Sequence, residues 1–182
     1  FFLNTLAGKS YLLRRDSKIR LLTTYYSILI LDSMDELDRL LNLNPTKTVK
    51  IGLRMAINEE TQSTYYTSRM GIATNEILDF FKKHIRDNEK VELKMLHFFV
   101  DTGIKDTLYY WGEFQRALKL YVELKKESVK LTSFNLGGGF PIRNHLGFEY
   151  DYEYMISEIV KNIKEACTAE KVDEPDIFTE FG

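Results

Sequence analysis

The sequence predicts an α/β protein folded as a β/α barrel, and three observations carry that prediction. Strand-like and helix-like runs alternate strictly along the 182 residues, in the order (β)–α–β–α–β–α–β–α–β–α–β. The clearest strand-like run is apolar at successive positions, as parallel strands covered by helices are. Polar or side-chain-free residues collect where strands end: Asp32, the segment 58–69, Asp101-Thr102, Gly137 to Gly139, and Glu180. Open doubly wound sheets and barrels both place their functional loops there. Convergence of so many strand ends favours a ring over an open sheet.

The elements follow from local pattern. Residues 1–4 read as the tail of a strand, and 11–22 as a helix with Leu12, Leu13, Ile19 and Leu22 on its buried face. A strand at 27–31 is stopped by Asp32-Ser33. The helix at 34–43 spaces Met34, Leu37, Leu40 and Leu41 along one face, with Ser33 as N-cap and Asp35 and Glu36 in the first turn. Asn44-Pro45 ends it, a strand follows at 49–57, and a long polar segment leads to a helix capped by Thr74 or Asn75 and running to Arg86.

The next strand, 91–100, places His97 and Phe99 on one face and Lys94, Leu96, Phe98 and Val100 on the other. His97 reads there as a satisfied core histidine. A helix at 106–128 carries Leu108, Trp111, Ala117, Leu118, Tyr121 and Leu124 as a broad apolar stripe. The strand 131–136 runs into Gly137-Gly138-Gly139, a loop covers 142–149, and a helix at 150–169 precedes a last strand at 176–182.

Composition narrows the function classes. Apolar residues at 44% and charged residues at 29% supply enough material for a real core and exclude a disordered chain. The net charge is −2, and the short basic clusters Arg14-Arg15, Lys82-Lys83-His84 and Lys125-Lys126 are scattered among acids, so no nucleic-acid footprint forms. Cys167 is the single cysteine, which forbids an intrachain disulfide and is compatible with a reducing, cytoplasmic setting. The apolar stretch near 21–31 is broken by Thr23, Thr24 and Ser27 and is too short to span a bilayer. Nor does the N-terminus carry a signal-peptide pattern, so no membrane association is expected.

Gly137, Gly138 and Gly139 offer backbone N–H groups at the end of a buried strand, which suits a phosphate oxygen. The same three glycines would also serve a tight turn with no ligand. They form neither a Walker loop nor a dinucleotide fingerprint. Glu180, flanked by Phe178 and Phe181, would be a carboxylate entering the barrel mouth, where it needs a cationic or N–H partner. His84 and His145 read as surface and loop residues, and nothing has metal-site spacing.

The ordered set of motifs is more specific than any one of them. Tyr65-Tyr-Thr-Ser-Arg-Met-Gly-Ile72, Leu96-His-Phe-Phe-Val-Asp-Thr-Gly103, Asn135-Leu-Gly-Gly-Gly-Phe-Pro141 and Thr179-Glu-Phe-Gly182 occur in this order. Together they resemble the barrel domain of the fold-type III pyridoxal-phosphate decarboxylases, whose (β/α)8 TIM barrel is of the alanine-racemase-like type. The arginine decarboxylase branch is the nearer one, supported also by Val49-Lys-Ile-Gly-Leu-Arg-Met55. The resemblance runs from about residue 27 to 182.

What the resemblance implies is a cofactor site for pyridoxal 5'-phosphate. Gly137, Gly138 and Gly139 would cradle its phosphate, Thr102 would stand where the family has a phosphate-side serine, Phe99 would stack on the ring, and Glu180 would bind the ring nitrogen. Three departures accompany this. Phe99 replaces a histidine, so it can stack but not titrate, and Asp101 brings a negative charge near the phosphate. Phe181 replaces the proline of the family's Glu-Pro-Gly-Arg, whose arginine lies past the last residue. The Tyr-Ala-x-Lys pattern that carries the cofactor's lysine is missing, so the catalytic lysine is unknown.

Residues 1–182 are therefore expected to be a partial pyridoxal-phosphate-binding barrel domain, without the first strand with its lysine, the last strand and the C-terminal β-domain. Such a piece is expected to be inactive alone and to fold poorly, because it leaves open strand edges. The implied activity is decarboxylation of a basic amino acid, arginine to agmatine first, by a homodimer or higher homo-oligomer. Citrulline, ornithine, lysine or diaminopimelate are alternative substrates. A non-decarboxylating pyridoxal-phosphate protein and an unrelated phosphate-binding barrel are the rival readings.

Overall fold

A computed structural model describes residues 28–57, 70–141 and 149–180. The expected strand at 1–4, the helix at 11–22 and the loops 58–69 and 142–148 lie outside these, apart from residue 149, as do Phe181 and Gly182. The described chain forms β1 (Leu29–Leu31), α1 (Met34–Asn42), β2 (Val49–Arg54), α2 (Thr74–Phe80), β3 (Val91–His97), α3 (Leu108–Glu127), β4 (Ser133–Gly138), α4 (Tyr152–Glu170) and β5 (Asp176–Glu180).

The five strands pair in sequence order, β1-β2-β3-β4-β5, and every pair is parallel. Right-handed crossovers in unbroken sequence order put all the connecting helices on one face of the sheet, whereas a doubly wound sheet reverses order partway. Consecutive helices α2, α3 and α4 accordingly touch one another. The sheet is an arc of a barrel wall, as the alternation of elements predicts.

Alternation along the strands divides their residues between two faces. The helix-facing side holds Leu31, Leu53, Leu93, Leu96, Phe98, Phe134 and Leu136, packed into one core with Ile77, Phe114, Tyr121 and Ile159 from the helices. The opposite, inner side starts with Ile30, Gly52 and Met95; the last two are paired across β2 and β3, and a Cβ on Gly52 would meet Ile30 Cδ1 at 2.4 Å and Met95 Cβ at 3.2 Å. One layer further along, the inner side turns polar.

Phe134 is the hub of the helix-side core. Its ring lies 5.8 Å from Phe98, 6.3 Å from Phe114 and 5.4 Å from Tyr121, and it is fully buried. Phe134→Ala is expected to lower unfolding stability by about 3–5 kcal/mol, because the stacked rings around it cannot collapse into the space. Urea unfolding of the two proteins checks this.

Helix ends differ in detail from what residue types predict. Thr107 and Asp151 cap α3 and α4 through Tyr110 N–H (3.1 Å) and Tyr154 N–H (2.8 Å). Ser33 occupies the N-cap of α1 but makes no side-chain cap bond; Glu36 instead reaches back to the Asp32 N–H at 2.7 Å. Ala73, not Thr74 or Asn75, holds the N-cap position of α2. That helix passes into a π-turn at Phe81–Ile85, closed by Arg86 N–H to Phe81 O, which keeps Ile77, Phe80, Phe81 and Ile85 all buried.

β3 stops at His97 instead of running to Val100, and β4 covers Ser133–Gly138 instead of 131–136. The second shift is tertiary in origin. Gly138 pairs with Glu180 across β5 after an irregularity that begins at Asn135. A Cβ on Gly138 would lie 2.7 Å from Glu180 O, so only glycine lets the strand continue there.

Candidate cofactor site at the strand ends

The polar layer of the inner face is set by register. Arg54 pairs with His97, and His97 with Asn135. One position past Leu31, which pairs with Leu53, Asp32 stands at the end of β1 beside Arg54. Register thus gathers Asp32, Arg54, His97 and Asn135 into one layer from four different strands.

Arg54 Nη1 lies 3.4 Å from Asp32 Oδ1, both side chains nearly buried. The same guanidinium stands 5.7 Å from the centre of the Phe99 ring and contacts Met70 Sδ at 3.4 Å. Burial pushes the Asp32 carboxyl up, with Arg54 opposing, and burial raises Glu36 as well. Asp32 Oδ2 and Glu36 Oε1 are buried and make no hydrogen bond among the described residues.

His97 is 1% exposed, and its Nδ1 makes no hydrogen bond among the described residues. It belongs to the core, as expected, but it is not a satisfied core histidine. Nδ1 lies 3.9 Å from Glu180 Oε1, beyond hydrogen-bond reach. Burial, aided by the Arg54 charge, pushes its pKa from 6.5 down to about 3.

That depression has a sign. Between 6.5 and about 3 the unfolded chain binds the imidazole proton and the native chain does not, so stability falls as the pH drops through this window. Asp32 and Glu36, raised by burial, act in the opposite sense nearer the carboxylate range. His97→Leu is therefore expected to flatten the acid-side loss of stability relative to wild type, measured by urea unfolding across the window. An unchanged difference between the two proteins at all pH values would contradict it.

The residues expected to bind a cofactor stand as follows. Phe99 is half-buried, two residues past the end of β3, with its ring against Gly137 and near the Arg54 guanidinium. Thr102 and Asp101 are exposed in the turn after β3, so the Asp101 charge is solvated. Gly103 (φ +84°) and Gly139 (φ +97°) meet backbone to backbone: Ile104 N–H donates to Gly139 O at 2.9 Å, and a Cβ on either glycine would come within 2.6 Å of the other residue. This contact brings Thr102 to the side of the glycine turn. Gly137 (φ +72°) lies against Phe98 O and the Phe99 ring, which leave no room for a Cβ.

One expectation about the glycines is corrected. The Gly137 N–H is not a bare donor, since it donates to Asn135 Oδ1 at 2.8 Å. Asn135 Nδ2 in turn donates to Glu180 Oε1 at 3.0 Å. Glu180 thereby has the N–H partner that a carboxylate in this place requires, and its side chain is 35% exposed. Asn135 and Arg54 are functional candidates that residue types alone did not single out; they appear only as members of longer motifs.

The donor set suits an aromatic anion-bearing ligand: a carboxylate and an aromatic face on one side, a hydroxyl and a glycine turn at the rim. Among the described residues no group of three or more His, Cys, Asp or Glu is placed to hold a metal ion, and no helix is long and apolar enough to cross a membrane.

Comparison with known proteins agrees with this chemistry. The profile of the pyridoxal-dependent decarboxylases, pyridoxal binding domain, matches residues 13–182. A biosynthetic arginine decarboxylase of Prochlorococcus marinus (strain MIT 9215) is 24% identical over 173 residues, covering 85% of this chain. Biosynthetic arginine decarboxylase 2 of a Synechocystis strain is 26% identical over 171 residues. The chain spans only 26% of the length of each of these relatives.

Solved structures give the same fold. The biosynthetic arginine decarboxylase of Campylobacter jejuni superposes with a TM-score of 0.69 at 22% identity, covering 92% of this chain and 29% of that one. Diaminopimelate decarboxylase from Helicobacter pylori, solved with L-lysine, gives 0.74 at 18% identity, covering 92% and 43%. A barrel unrelated to pyridoxal phosphate is thereby set aside, and the chain belongs to the pyridoxal-dependent decarboxylases, as part of their pyridoxal-binding TIM-barrel domain.

Proposed function

We propose that the protein containing this chain decarboxylates a basic amino acid with pyridoxal 5'-phosphate as cofactor, and that arginine, giving agmatine, is the first substrate to test. The observation that carries the reading is the adjacency of Glu180 and the glycine turn: Gly138 pairs with Glu180, so a carboxylate and a glycine-rich strand end lie side by side. The names of the similar arginine decarboxylases favour arginine.

Pyridoxal phosphate, when bound, supplies a protonated ring that takes up the electron pair left as CO2 departs. The chain's own residues have separate tasks. Glu180 holds the proton on the ring nitrogen. Gly138 and Gly139, with Thr102 in the turn that Gly103 packs against Gly139, receive the phosphate. Phe99 gives the ring a flat apolar surface, whose other neighbour is the Arg54 guanidinium. Asp32 holds Arg54 in place through its buried ion pair. No lysine of this chain is assigned a role.

We further propose that the enzyme serves polyamine formation as a cytoplasmic homo-oligomer. The test is direct. Full-length protein should acquire the visible absorbance of bound pyridoxal phosphate and release CO2 from arginine faster than from ornithine, lysine, citrulline or diaminopimelate. Bound cofactor with another preferred amino acid would redirect the substrate; no bound cofactor would overturn the reading.

A further inference from the structure

We infer that Asn135 is a positioning residue, which fixes the Glu180 carboxylate through a hydrogen-bond relay that starts in the glycine turn. The inference rests on the reading of Glu180 as the ring-nitrogen partner. Asn135 is fully buried on the inner face, opposite His97. A carboxamide has one end that accepts and one that only donates. The Gly137 N–H, at 2.8 Å, can bond only the oxygen end, so the nitrogen end is forced toward Glu180 and donates to Oε1 at 3.0 Å.

The relay thus has a direction, from Gly137 N–H through the amide to the carboxylate. The backbone sets it: Gly137 takes φ +72°, and a Cβ there would come within 2.8 Å of Phe98 O. His97 Nδ1 faces the same carboxylate oxygen from β3 but stands 3.9 Å away. It is too far to hydrogen-bond, so Asn135 rather than His97 anchors that oxygen.

An aspartate at position 135 separates this role from a merely structural one. It keeps an oxygen for the Gly137 N–H but turns a second oxygen toward Glu180. The test uses full-length wild type, N135D, E180Q and N135D/E180Q, with thermal midpoints of the cofactor-free proteins and pyridoxal 5'-phosphate titrations followed by absorbance. N135D should lower the midpoint by several degrees and weaken cofactor affinity about tenfold, the equivalent of one charge-assisted hydrogen bond.

In the E180Q background the same substitution should leave the midpoint nearly unchanged, because the glutamine amide can donate to Asp in place of the lost donor. Equal losses in both backgrounds, or no loss in either, would overturn the inference. If N135D does not fold, a folded N135D/E180Q protein supports the relay and an unfolded one overturns it. Should the wild type fail to bind pyridoxal phosphate, the proposed function falls, while the thermal comparison still decides the relay.

Discussion

Glu180→Gln is expected to lower the decarboxylation rate of the full-length protein by about 10²–10³-fold, the scale of losing one preorganised electrostatic contact to a reacting centre. The substitution keeps the volume and the shape. Asn135 Nδ2, now 3.0 Å from Glu180 Oε1, would still find an oxygen acceptor on the glutamine. On the proposed role of Glu180, what is lost is the negative charge that would hold a proton on the ring nitrogen, and with it part of the ring's electron-withdrawing strength. The rate constant kcat should therefore carry most of the effect, with cofactor still bound. Steady-state CO2 release alongside the cofactor's absorbance checks both halves, and a variant that turns over at the wild-type rate would remove Glu180 from the mechanism.

Gly139→Ala should have the largest effect on the architecture of the site. At φ +97° an L-residue is strained whatever the surrounding space, at a cost of about 1–3 kcal/mol. The space is also absent, because the new Cβ would stand 2.6 Å from Gly103 Cα. Relief would have to come from separating the two strand-end turns, which breaks the 2.9 Å bond from Ile104 N–H to Gly139 O and carries Thr102 away from the glycine turn. Lower urea stability together with weaker pyridoxal phosphate binding is the expected result. Gly112→Ala is the matched control: that glycine lies within α3, with nothing within 4 Å of a built Cβ. There alanine should stabilise by about 0.5–1 kcal/mol.

The two glycine predictions mark the difference between what residue types announce and what contacts impose. A run of three glycines before Phe140-Pro141 announces a turn at the end of a strand. It does not announce that two of the three remain in β4, that the first spends its N–H on Asn135, or that the third interlocks with Gly103. Each of these facts depends on a partner between 2 and about 40 residues away, and local pattern does not encode which partner arrives. The same holds for Arg54. In sequence it is a single cation ending an apolar strand; in the fold it lies between Asp32 and the Phe99 ring because β1, β2 and β3 are neighbours in register.

Helix positions were legible for a different reason. The stripe along 106–128 and the one along 150–169 repeat at the helical period, so α3 and α4 were expected within two residues of their observed bounds. Caps were less legible. Glu36 displaced Ser33 as the group that satisfies backbone at the start of α1, since its buried side chain reaches the Asp32 N–H.

By itself, the sequence determined that strands and helices alternate, that the strands are parallel and covered, and that the ordered motifs belong to one cofactor chemistry. The first two follow from periodicity and from residue types with fixed conformational demands, which act over a few neighbouring positions; the third follows from the resemblance of the ordered motifs to a known family. Only the tertiary structure decided the relay from Gly137 through Asn135 to Glu180, the neutral buried state of His97, and the Asp32–Arg54 pair. The reason is register: strands far apart in sequence must pair before their inner-face side chains share one layer, and burial in that layer then sets their partners and their charge.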